Sequence, residues 1–422
     1  MQTRPPPAFL HEHETPTRSH WVILAMSWAG WVFDFYDLLL LSFLLVPIQR
    51  DLGLRPEQLS LLLGASLAST AVGGVVFGHL ADRFGRKRVL SWTILTYSIG
   101  TFLCGLAPDL AGLLAFRVVT GLGVGGEWAT GQTLIGETFP ARARARYAAY
   151  MQTGAPIGIA LAALVGGFFV PRFGWRAAFL VSVLPALLVV VIRRSMPESD
   201  VWEARRRLAE RGESGREPAH LGTLLVEPEL RSRFLRGFVL ALTDMSAYWF
   251  TYTWLPAYLY DQLGFSLARS GLWMLVTQLG GFLGYLSFGL LADSQGRRRA
   301  YTLFSVLWAA GLLAVTWFWD AIASTQPSLT LVCMFVVGFG TGNFSGYGPI
   351  FSELFPTRVR NTAMGSAFNL ARGVQFATPI AITWIARSHG LAGGISLAAF
   401  FALFSGIWVW TLPETKGQPV EP

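Results

Sequence analysis

Long apolar segments separated by short polar turns occupy most of this chain of 422 residues. A helix that crosses a bilayer needs about 20 mostly apolar residues. Segments of that length recur twelve times, and we number them spans 1 to 12 in chain order. They cover residues 21–46, 58–80, 88–107, 110–134, 145–170, 175–193, 235–260, 267–291, 300–319, 328–349, 361–386 and 392–412. The pattern predicts an all-α integral membrane protein with twelve transmembrane helices.

Two polar motifs that follow spans occur twice, at nearly the same separation. Residues 78–88 (GHLADRFGRKR) return as residues 289–299 (GLLADSQGRRR), 211 positions later. Residues 137–144 (ETFPARAR) return as residues 353–360 (ELFPTRVR), 216 positions later. A shared offset in two independent motifs indicates a duplicated half. We therefore expect two six-helix bundles related by pseudo-symmetry.

The composition places this protein in a lipid environment. Hydrophobic residues make up 53% of the chain and charged residues only 14%, whereas soluble proteins carry about 25% charged residues. Of the 33 Lys and Arg, 25 lie in segments on one side of the predicted membrane and 6 on the other, with Arg117 and Arg372 inside spans. This bias predicts that both termini and the central linker are cytoplasmic, in the inner membrane. The net charge of +8 is thus explained by topology, and we expect no nucleic-acid partner.

The polar breaks also give the predicted domain boundaries. Residues 1–20 form an N-terminal cytoplasmic tail without the features of a cleaved signal peptide, and residues 413–422 form a short C-terminal one. The two bundles cover 21–193 and 234–412, joined by a solvated linker at 194–233 rich in Arg and Glu.

The duplicated loop after span 2 resembles the signature loop of the major facilitator superfamily. The resemblance implies two bundles that rock around a central cavity and a gate on the cytoplasmic side. The gating residues it implies are Gly78, Asp82, Arg83, Gly85, Arg86, Asp293, Gly296, Arg297, Glu137, Arg142, Glu353 and Arg358.

Further motifs resemble two groups of branches within that superfamily. Residues 33–37 (FDFYD) and 125–128 (GGEW) are similar to sialate, lactate and aromatic-acid symporters. Residues 197–199 (PES) and 413–417 (PETKG) are similar to sugar porters and related metabolite–proton symporters. The polar motif typical of span 7 in fungal lactate permeases is absent, so the substrate branch stays open.

Four charged residues inside the first half are candidates for proton coupling. Asp34 and Asp37 share one face of span 1, since they are three residues apart. Ionisable residues within a membrane span are costly and are usually functional. The resemblance to sugar–proton symporters implies that Asp37 binds the coupled proton and that Arg117 is its switchable partner; a permanent salt bridge is the alternative. For Glu127 three roles stay open: a second proton site, a gate near the cytoplasmic mouth, or a hydrogen bond to neighbouring helix ends.

The predicted substrate site centres on Arg372 in span 11. Asn369 and Gln375, three residues before and after it, share its face. A guanidinium matches a carboxylate with two hydrogen bonds, so Arg372 is a candidate carboxylate anchor. The alternative is a helix-packing Arg372 paired with Asp244 of span 7. Aromatic candidates for the cavity are Tyr36, Tyr248, Tyr252 and Tyr347, whereas the Trp residues are assigned mainly to scaffold.

Enzyme chemistry is not indicated. No His, Cys and Asp cluster has metal-ligand spacing, no phosphate-binding loop is present, and we expect no cofactor and no disulfide between Cys104 and Cys333. The sequence predicts a secondary transporter, monomeric in the membrane, that couples uptake of a small organic carboxylate to protons. A lactate-like monocarboxylate, a sugar acid or an aromatic acid fits this prediction. Proton symport of sugars or polyols is the alternative, followed by export of drugs or metabolites and by membrane sensing.

Overall fold

The computed structural model describes residues 9–211, 221–259, 263–264, 267–326 and 328–418. Within these ranges the chain is helical and contains no β-strand. The helices follow the predicted spans closely, which confirms the all-α membrane fold.

The first half contains six spans of unequal regularity. Spans 1 to 4 are the helices Arg18–Leu52, Pro56–Phe84, Arg86–Cys104 and Leu110–Thr138. Span 5 consists of Arg144–Gln152, Gly154–Leu164 and a π-helical turn at Val165–Phe169. The helix Val170–Val181 is kinked at Gly174, where span 5 passes into span 6, and span 6 continues in Ala186–Ser195. The linker contributes the helices Asp200–Glu210 and Leu221–Val226, and a 3-10 turn at Leu10–Glu12 precedes span 1.

The second half repeats this order. Spans 7 to 9 are Pro228–Ala257, Leu267–Gln295 and Arg297–Thr316, and a short helix follows at Trp319–Thr325. Span 10 consists of Leu329–Gly340, a 3-10 segment at Thr341–Gly346 and Tyr347–Leu354. Span 11 begins with Arg360–Val374 and a 3-10 turn at Gln375–Ala377, then continues into Thr378–Trp408, which also contains span 12 and ends before a turn at Val409–Thr411.

Three pairs of glycines show the duplication in the backbone itself. Gly53 and Gly264 have φ of +62° and +67°, and Gly85 and Gly296 have +100° and +103°. Gly174, with φ of +80°, separates spans 5 and 6, and Gly390, with φ of +69°, separates spans 11 and 12. Positive φ is costly for residues with a Cβ atom. The members of each pair are 211 or 216 residues apart, so equivalent turns of the two halves use the same special conformation.

Eight helical segments among the described residues are long and apolar enough to cross a membrane. They include nine of the predicted spans, because spans 5 and 6 form one continuous segment, Arg144–Ile192. The other three, spans 3, 7 and 11, are more polar or interrupted; Arg360 and Arg372 both lie in span 11. Cys104 is buried and Cys333 half-buried, and both are free thiols.

The two halves meet closely on the side that carries residues 9–20, helix Asp200–Glu210 and residues 413–418, which we call the linker face. A Cβ atom on Gly78 would lie 3.0 Å from the carbonyl oxygen of Asn361, at the start of span 11. On its repeat equivalent, Gly289, a Cβ atom would lie 2.8 Å from Cα of Arg146, at the start of span 5. Glycine thus permits backbone-to-backbone contact between halves at both places, and the linker face is closed.

Candidate functional site

Asp37 and Arg117 are buried side by side in the first half without forming an ion pair. Nη2 of Arg117 donates to the backbone carbonyl of Asp37 at 3.4 Å, and Nε donates to Oγ of Ser66 at 3.4 Å. Within the described part of the chain, both carboxylate oxygens of Asp37 and Nη1 of Arg117 lack hydrogen-bond partners within 3.5 Å, although the hydroxyl of Thr101 interacts with Asp37. The predicted direct pair is therefore absent from this state, although the guanidinium charge acts on the Asp37 carboxylate.

Asp34 and Glu127 form a second pair of buried acids. Neither carboxylate has a hydrogen-bond partner within 3.5 Å among the described residues. The two acids interact electrostatically, and the hydroxyl of Tyr97 lies near Glu127. Glu127 fits against Gly30, one helical turn before Asp34, where a Cβ atom would come within 2.1 Å of its Oε1. Gly30 thus lets Glu127 of span 4 reach the face of span 1 that carries Asp34.

Arg372 lies between the two halves, surrounded by aromatic rings. Its Cζ atom is 5.4 Å from the ring centre of Phe368, 5.7 Å from Phe35 and 6.0 Å from Trp31. The side chain is 3% exposed, and its Nη1 has no hydrogen-bond partner. Its charge acts on Asp34, but no carboxylate of the described residues lies within 4 Å to form an ion pair. Arg372 is therefore a buried cation with capacity for an anionic partner.

The two amides predicted to accompany Arg372 are already engaged in this state. Nδ2 of Asn369 donates to the carbonyl of Gly125 in the other half at 2.7 Å and to Gly365 at 3.0 Å. Nε2 of Gln375 donates to Ala371 at 3.1 Å and to Ser246 at 3.3 Å. Both residues are buried beside Arg372 as expected, but Asn369 bridges the halves and Gln375 stabilises its own helix.

Asp244 makes no ion pair with Arg372, contrary to the alternative from the sequence. Its carboxylate accepts hydrogen bonds from Nδ2 of Asn343 at 2.6 Å, from the hydroxyl of Tyr347 at 2.7 Å and from Oγ of Ser405 at 3.3 Å. These donors come from spans 10 and 12. Asp244 and Tyr347 therefore belong to a hydrogen-bonded network inside the second half, and Tyr347 reaches the site through its ring rather than through a free hydroxyl.

The tyrosine candidates fall into different places. Tyr248 and Tyr252 line a cavity between span 5 and spans 7, 8 and 10, and their ring centres are 4.6 Å apart. Tyr36 instead hydrogen-bonds to Ser182 of span 6 at 2.9 Å and is separated from that cavity. The sequence interpretation missed the other polar lining residues, which are Gln278, Tyr285 and Thr341.

Aromatic residues assigned to scaffold prove to surround Arg372. Trp128 and Phe368 stack across the two halves, with ring centres 3.8 Å apart and an interplanar angle of 14°. Trp31 lies edge-on to Phe368, and Tyr347 lies edge-on to both Phe368 and Trp128. Trp128 directly follows Glu127 in the motif that resembles acid symporters, which was a signal that could have identified it.

Two aspartates of the duplicated loops bind the starts of helices in the opposite half. Asp82 accepts from the backbone N–H groups of Asn361 at 3.2 Å and Thr362 at 2.8 Å. Its repeat equivalent, Asp293, accepts from the N–H groups of Ala145 at 3.1 Å and Arg146 at 3.0 Å. The unpaired N–H groups and the dipole of a helix N-terminus both favour a carboxylate. These contacts hold spans 2 and 11, and spans 8 and 5, together at the linker face.

Ion pairs join the halves at the same level. Glu137 binds Arg86 of its own half at 2.8 Å and Arg360 of the other half at 2.6 Å. In the mirrored arrangement, Glu353 binds Arg297 at 2.8 Å and Arg144 of the other half at 3.0 Å.

The arginine that crosses the halves is the second of each repeated motif. Arg144 and Arg360 make these contacts, whereas the sequence prediction named Arg142 and Arg358. Arg142 is exposed, and Arg358 pairs with Glu227 of the linker. Arg83 is also exposed and lies over the ring of Phe84. The predicted gating arginines, Arg142 and Arg358, are therefore wrong by two residues. The arginine at the start of each following helix points inward and makes the contact between the halves.

Glu198 and Glu414, the acids of the PES and PETKG motifs, bind the starts of spans 3 and 9. Glu198 accepts from the N–H groups of Arg86 and Lys87, and Glu414 from those of Arg297 and Arg298. Burial raises the pKa of Glu198 above its usual value despite these hydrogen bonds. Burial also raises the pKa of Glu414. Hydrogen bonds from the backbone of Arg297, Arg298 and Lys416 outweigh burial, so the pKa of Glu414 lies below its usual value.

Comparison with known proteins identifies this architecture. The sequence profile of the Major Facilitator Superfamily matches residues 23–294 and 238–422. The chain belongs to the major facilitator superfamily. In this superfamily it is similar to the sialic acid transporter of Escherichia coli K12, at 30% identity over 92% of both chains. It is also similar to the niacin transporter of Acinetobacter baylyi, at 31% identity over 88% of both chains.

Solved structures show the same fold. The proton:xylose symporter XylE superposes with a TM-score of 0.76 at 18% identity, over 95% of this chain and 98% of that one. The predicted superfamily and the twelve-helix fold are confirmed, and the protein is a multi-pass membrane transporter rather than an enzyme.

Proposed function

We propose that this transporter carries a small organic carboxylate together with protons. The observation that carries the proposal is Arg372, a cation buried between the halves without an ion pair among the described residues. A buried charge is costly unless it is paired. A substrate carboxylate would provide the missing partner, and the planar guanidinium would bind it with two hydrogen bonds.

The rings around Arg372 favour flat, conjugated acids among the possible carboxylates. Trp128 and Phe368 belong to different halves and stack face to face. Movement of the halves to admit a substrate would separate these rings, and a flat π-system between them would restore contact to both faces. The names of similar proteins support this class, since relatives include the niacin transporter and a cis,cis-muconate transport protein of Acinetobacter baylyi at 31% and 29% identity.

Proton coupling is assigned to the buried acids of the first half. Asp34, Asp37 and Glu127 are fully buried, and their carboxylates accept no hydrogen bond within 3.5 Å from the residues that the structure describes. The hydroxyls of Thr101 and Tyr97 nevertheless lie near Asp37 and Glu127, respectively. Ionised carboxylates in such surroundings are strongly disfavoured, so these groups are suited to take up and release protons. We assign the coupled proton to Asp37, with Arg117 as the partner that changes contacts. Because the charge of Arg372 acts on Asp34, substrate binding at Arg372 would change the proton affinity of Asp34.

The gate follows from the closed linker face. In the proposed orientation that face is cytoplasmic, in the inner membrane, as the excess of Lys and Arg predicts. The contacts of Asp82, Asp293, Glu137 and Glu353 across the halves would then close the cytoplasmic exit while substrate enters from outside. Opening toward the cytoplasm requires all four carboxylates to lose their partners in the opposite half.

A sugar or polyol is the second candidate substrate. The polar side chains of Gln278, Tyr252 and Thr341 line the cavity beside span 5, and hydroxyl groups are suited to such donors and acceptors. Binding of a neutral sugar would leave Arg372 without a partner, so this function would make that residue a packing element.

Uptake into proteoliposomes with an inward proton gradient tests these functions. We expect labelled nicotinate, muconate or benzoate to accumulate and a protonophore to abolish the accumulation. Liposomes without protein control for passive entry of weak acids, and sialate, lactate, gluconate, xylose and glucose complete the panel. Accumulation of sugars alone would contradict carboxylate transport, and acid uptake insensitive to the protonophore would contradict proton coupling.

A further inference from the structure

The segment ahead of span 1 folds against the linker face. We call residues 9–20 the N-terminal strap. The N–H group of Leu10 donates to Oδ2 of Asp200 at 3.0 Å, in the first turn of the linker helix. The carbonyl oxygen of Leu10 lies 3.1 Å from Nε2 of His20, in the first turn of span 1. The strap is thereby attached both to the linker and to the first half.

The hydrogen bonds of His20 favour a neutral ring. Nδ1 lies 2.9 Å from the backbone nitrogen of Thr17, which can only donate, so Nδ1 accepts. Nε2 lies 3.0 Å from the carbonyl oxygen of Thr138, as well as near that of Leu10, so Nε2 carries the hydrogen. The imidazole has one acceptor and one donor only in its neutral form. His20 is also fully buried.

Protonation of His20 would destabilise this arrangement. The new hydrogen on Nδ1 would deprive the N–H group of Thr17 of its acceptor, and Oγ1 of Thr17, 2.8 Å from Nδ1, would have to accept that hydrogen instead. The charge would also lie at the N-terminus of span 1, where the helix dipole disfavours a cation.

The strap adjoins the residues that hold the halves together. Thr138, which accepts from His20, directly follows Glu137, and Glu137 binds Arg360 of the other half. His11 of the strap is near Arg144, which crosses the halves to Glu353; burial and the Arg144 charge lower the pKa of His11. The charged and titratable groups around these two histidines are Glu12 and His13 of the strap, Asp200 of the linker helix, Glu137 of span 4 and Arg144 of span 5.

We propose that the N-terminal strap is a pH-sensitive fastener of the closed linker face. The strap binds while His20 is neutral and detaches when His20 takes up a proton. Proton uptake takes place at a pH below the ordinary imidazole value of about 6.5, because burial lowers the pKa of His20. Detachment removes the hydrogen bond to the end of span 4 and destabilises the contacts of Glu137 between the halves. Acid on the linker face therefore favours opening of that face. This device does not depend on which substrate is carried.

Hydrogen–deuterium exchange of the full-length protein in lipid nanodiscs tests the proposal at pH 7.5 and 5.5, with rates corrected for intrinsic pH dependence. We expect exchange of residues 9–20 to rise roughly fivefold at pH 5.5, which corresponds to the loss of one hydrogen bond. Exchange at Asn361 and Thr362, whose amides bind Asp82 across the halves, should rise with it. In His20→Gln the side-chain amide can still accept and donate but cannot titrate, so protection should be equal at both pH values.

The matched control is His79→Gln, the same substitution in span 2, and it should respond to pH like the wild type. Equal protection of the wild-type strap at both pH values would overturn the proposal without any variant. If lowering the pH from 7.5 to 5.5 reduced protection of the strap as much in His20→Gln as in the wild type, the role of His20 would be overturned. Release of the strap without a change at Asn361 and Thr362 would show that the strap does not fasten the linker face.

Discussion

Equivalent positions in the two halves contain acids with opposite surroundings. Asp34 in span 1 and Asp244 in span 7 are repeat equivalents, and so are Glu127 in span 4 and Asn343 in span 10. In the second half the amide of Asn343 donates to Asp244 at 2.6 Å, and Tyr347 and Ser405 add further donors. In the first half a carboxylate replaces the amide, and among the described residues no donor lies within 3.5 Å of Asp34 or Glu127, although the hydroxyl of Tyr97 interacts with Glu127 at longer range.

This difference indicates how one duplicated unit came to have two uses. Donors stabilise an ionised carboxylate, so Asp244 is suited to a fixed structural role. Two acids without donors cannot both remain charged at low cost, so Asp34 and Glu127 are suited to exchange protons. At the linker face, in contrast, the two halves have kept the same contacts. Asp82 and Asp293 both accept hydrogen bonds from N–H groups at the start of a helix in the opposite half. In the proposed mechanism the gate uses both copies, whereas proton coupling uses only one.

The largest effect is expected at Arg372, the second-half cation whose charge acts on Asp34 of the first half. Arg372→Ala should weaken substrate binding by at least about 2 kcal/mol, or roughly 30-fold, because a buried carboxylate would lose its charged partner. Arg372→Lys should be intermediate, since it keeps the charge but loses the bidentate geometry. Initial uptake against substrate concentration measures this change. Unchanged affinity in Arg372→Ala would make Arg372 a packing residue.

Asp37→Asn should abolish accumulation driven by a pH gradient, because the amide cannot bind the coupled proton. Exchange of labelled for unlabelled substrate at equal pH should continue, since that process moves no net protons. Asp51→Asn is the control, as Asp51 is an exposed acid paired with Arg176 at the surface. Full accumulation by Asp37→Asn would remove Asp37 from the coupling mechanism.

Glu127→Gln tests the comparison of the two halves directly, because it places an amide beside Asp34, as Asn343 does beside Asp244. The new donor should stabilise ionised Asp34 by about 1.5 kcal/mol, as hydrogen bonds to charged groups do, and reduce proton-driven accumulation roughly tenfold. The pH dependence of uptake distinguishes this effect from misfolding, since its midpoint should move to lower pH. An unchanged profile would show that Asp34 and Glu127 do not act as a pair.

Asp244→Asn should mainly affect stability. Loss of the charged acceptor for Asn343, Tyr347 and Ser405 should lower the free energy of unfolding by about 1.5–3 kcal/mol. Thermal unfolding in detergent measures this, while the pH profile of uptake should match the wild type. A shifted pH profile would assign coupling to both halves.

The smallest effects are expected at Glu198 and Glu414 outside the spans. The lowered pKa of Glu414 means that its ionised form stabilises the fold above its ordinary value of 4.5, and that this contribution is lost as the pH falls through the lowered pKa. The raised pKa of Glu198 has the opposite effect on stability. Its protonated form stabilises the fold below pH 4.5, and this contribution is lost as the pH rises through the raised pKa.

At pH 7.5, Glu414→Gln should therefore lower the unfolding temperature more than Glu198→Gln does. The two variants should differ in their free energy of unfolding by about 1 kcal/mol or less, since Glu414 is partly exposed. At pH 5 this difference should be smaller. Equal losses at both pH values would show that the two motifs are electrostatically equivalent.

Much of the candidate site could be predicted because charge inside an apolar span is conspicuous. Asp34, Asp37, Arg117, Glu127, Asp244 and Arg372 were all identified from hydropathy alone, and the structure buries all six. Their partners were harder to predict. Arg117 was paired with the Asp37 carboxylate but bonds its carbonyl, and Arg142 was chosen where Arg144 crosses the halves. Helical spacing defines a face of one helix but does not determine which helix packs against it.

The sequence by itself determined the twelve spans and the duplicated halves, because hydropathy and repeated motifs are local properties. Only the tertiary structure decided that Trp128 stacks on Phe368, that Asn343 binds Asp244 and that His20 joins the strap to span 4. These contacts link residues far apart in the chain, and each depends on how helices of fixed composition are rotated and brought together.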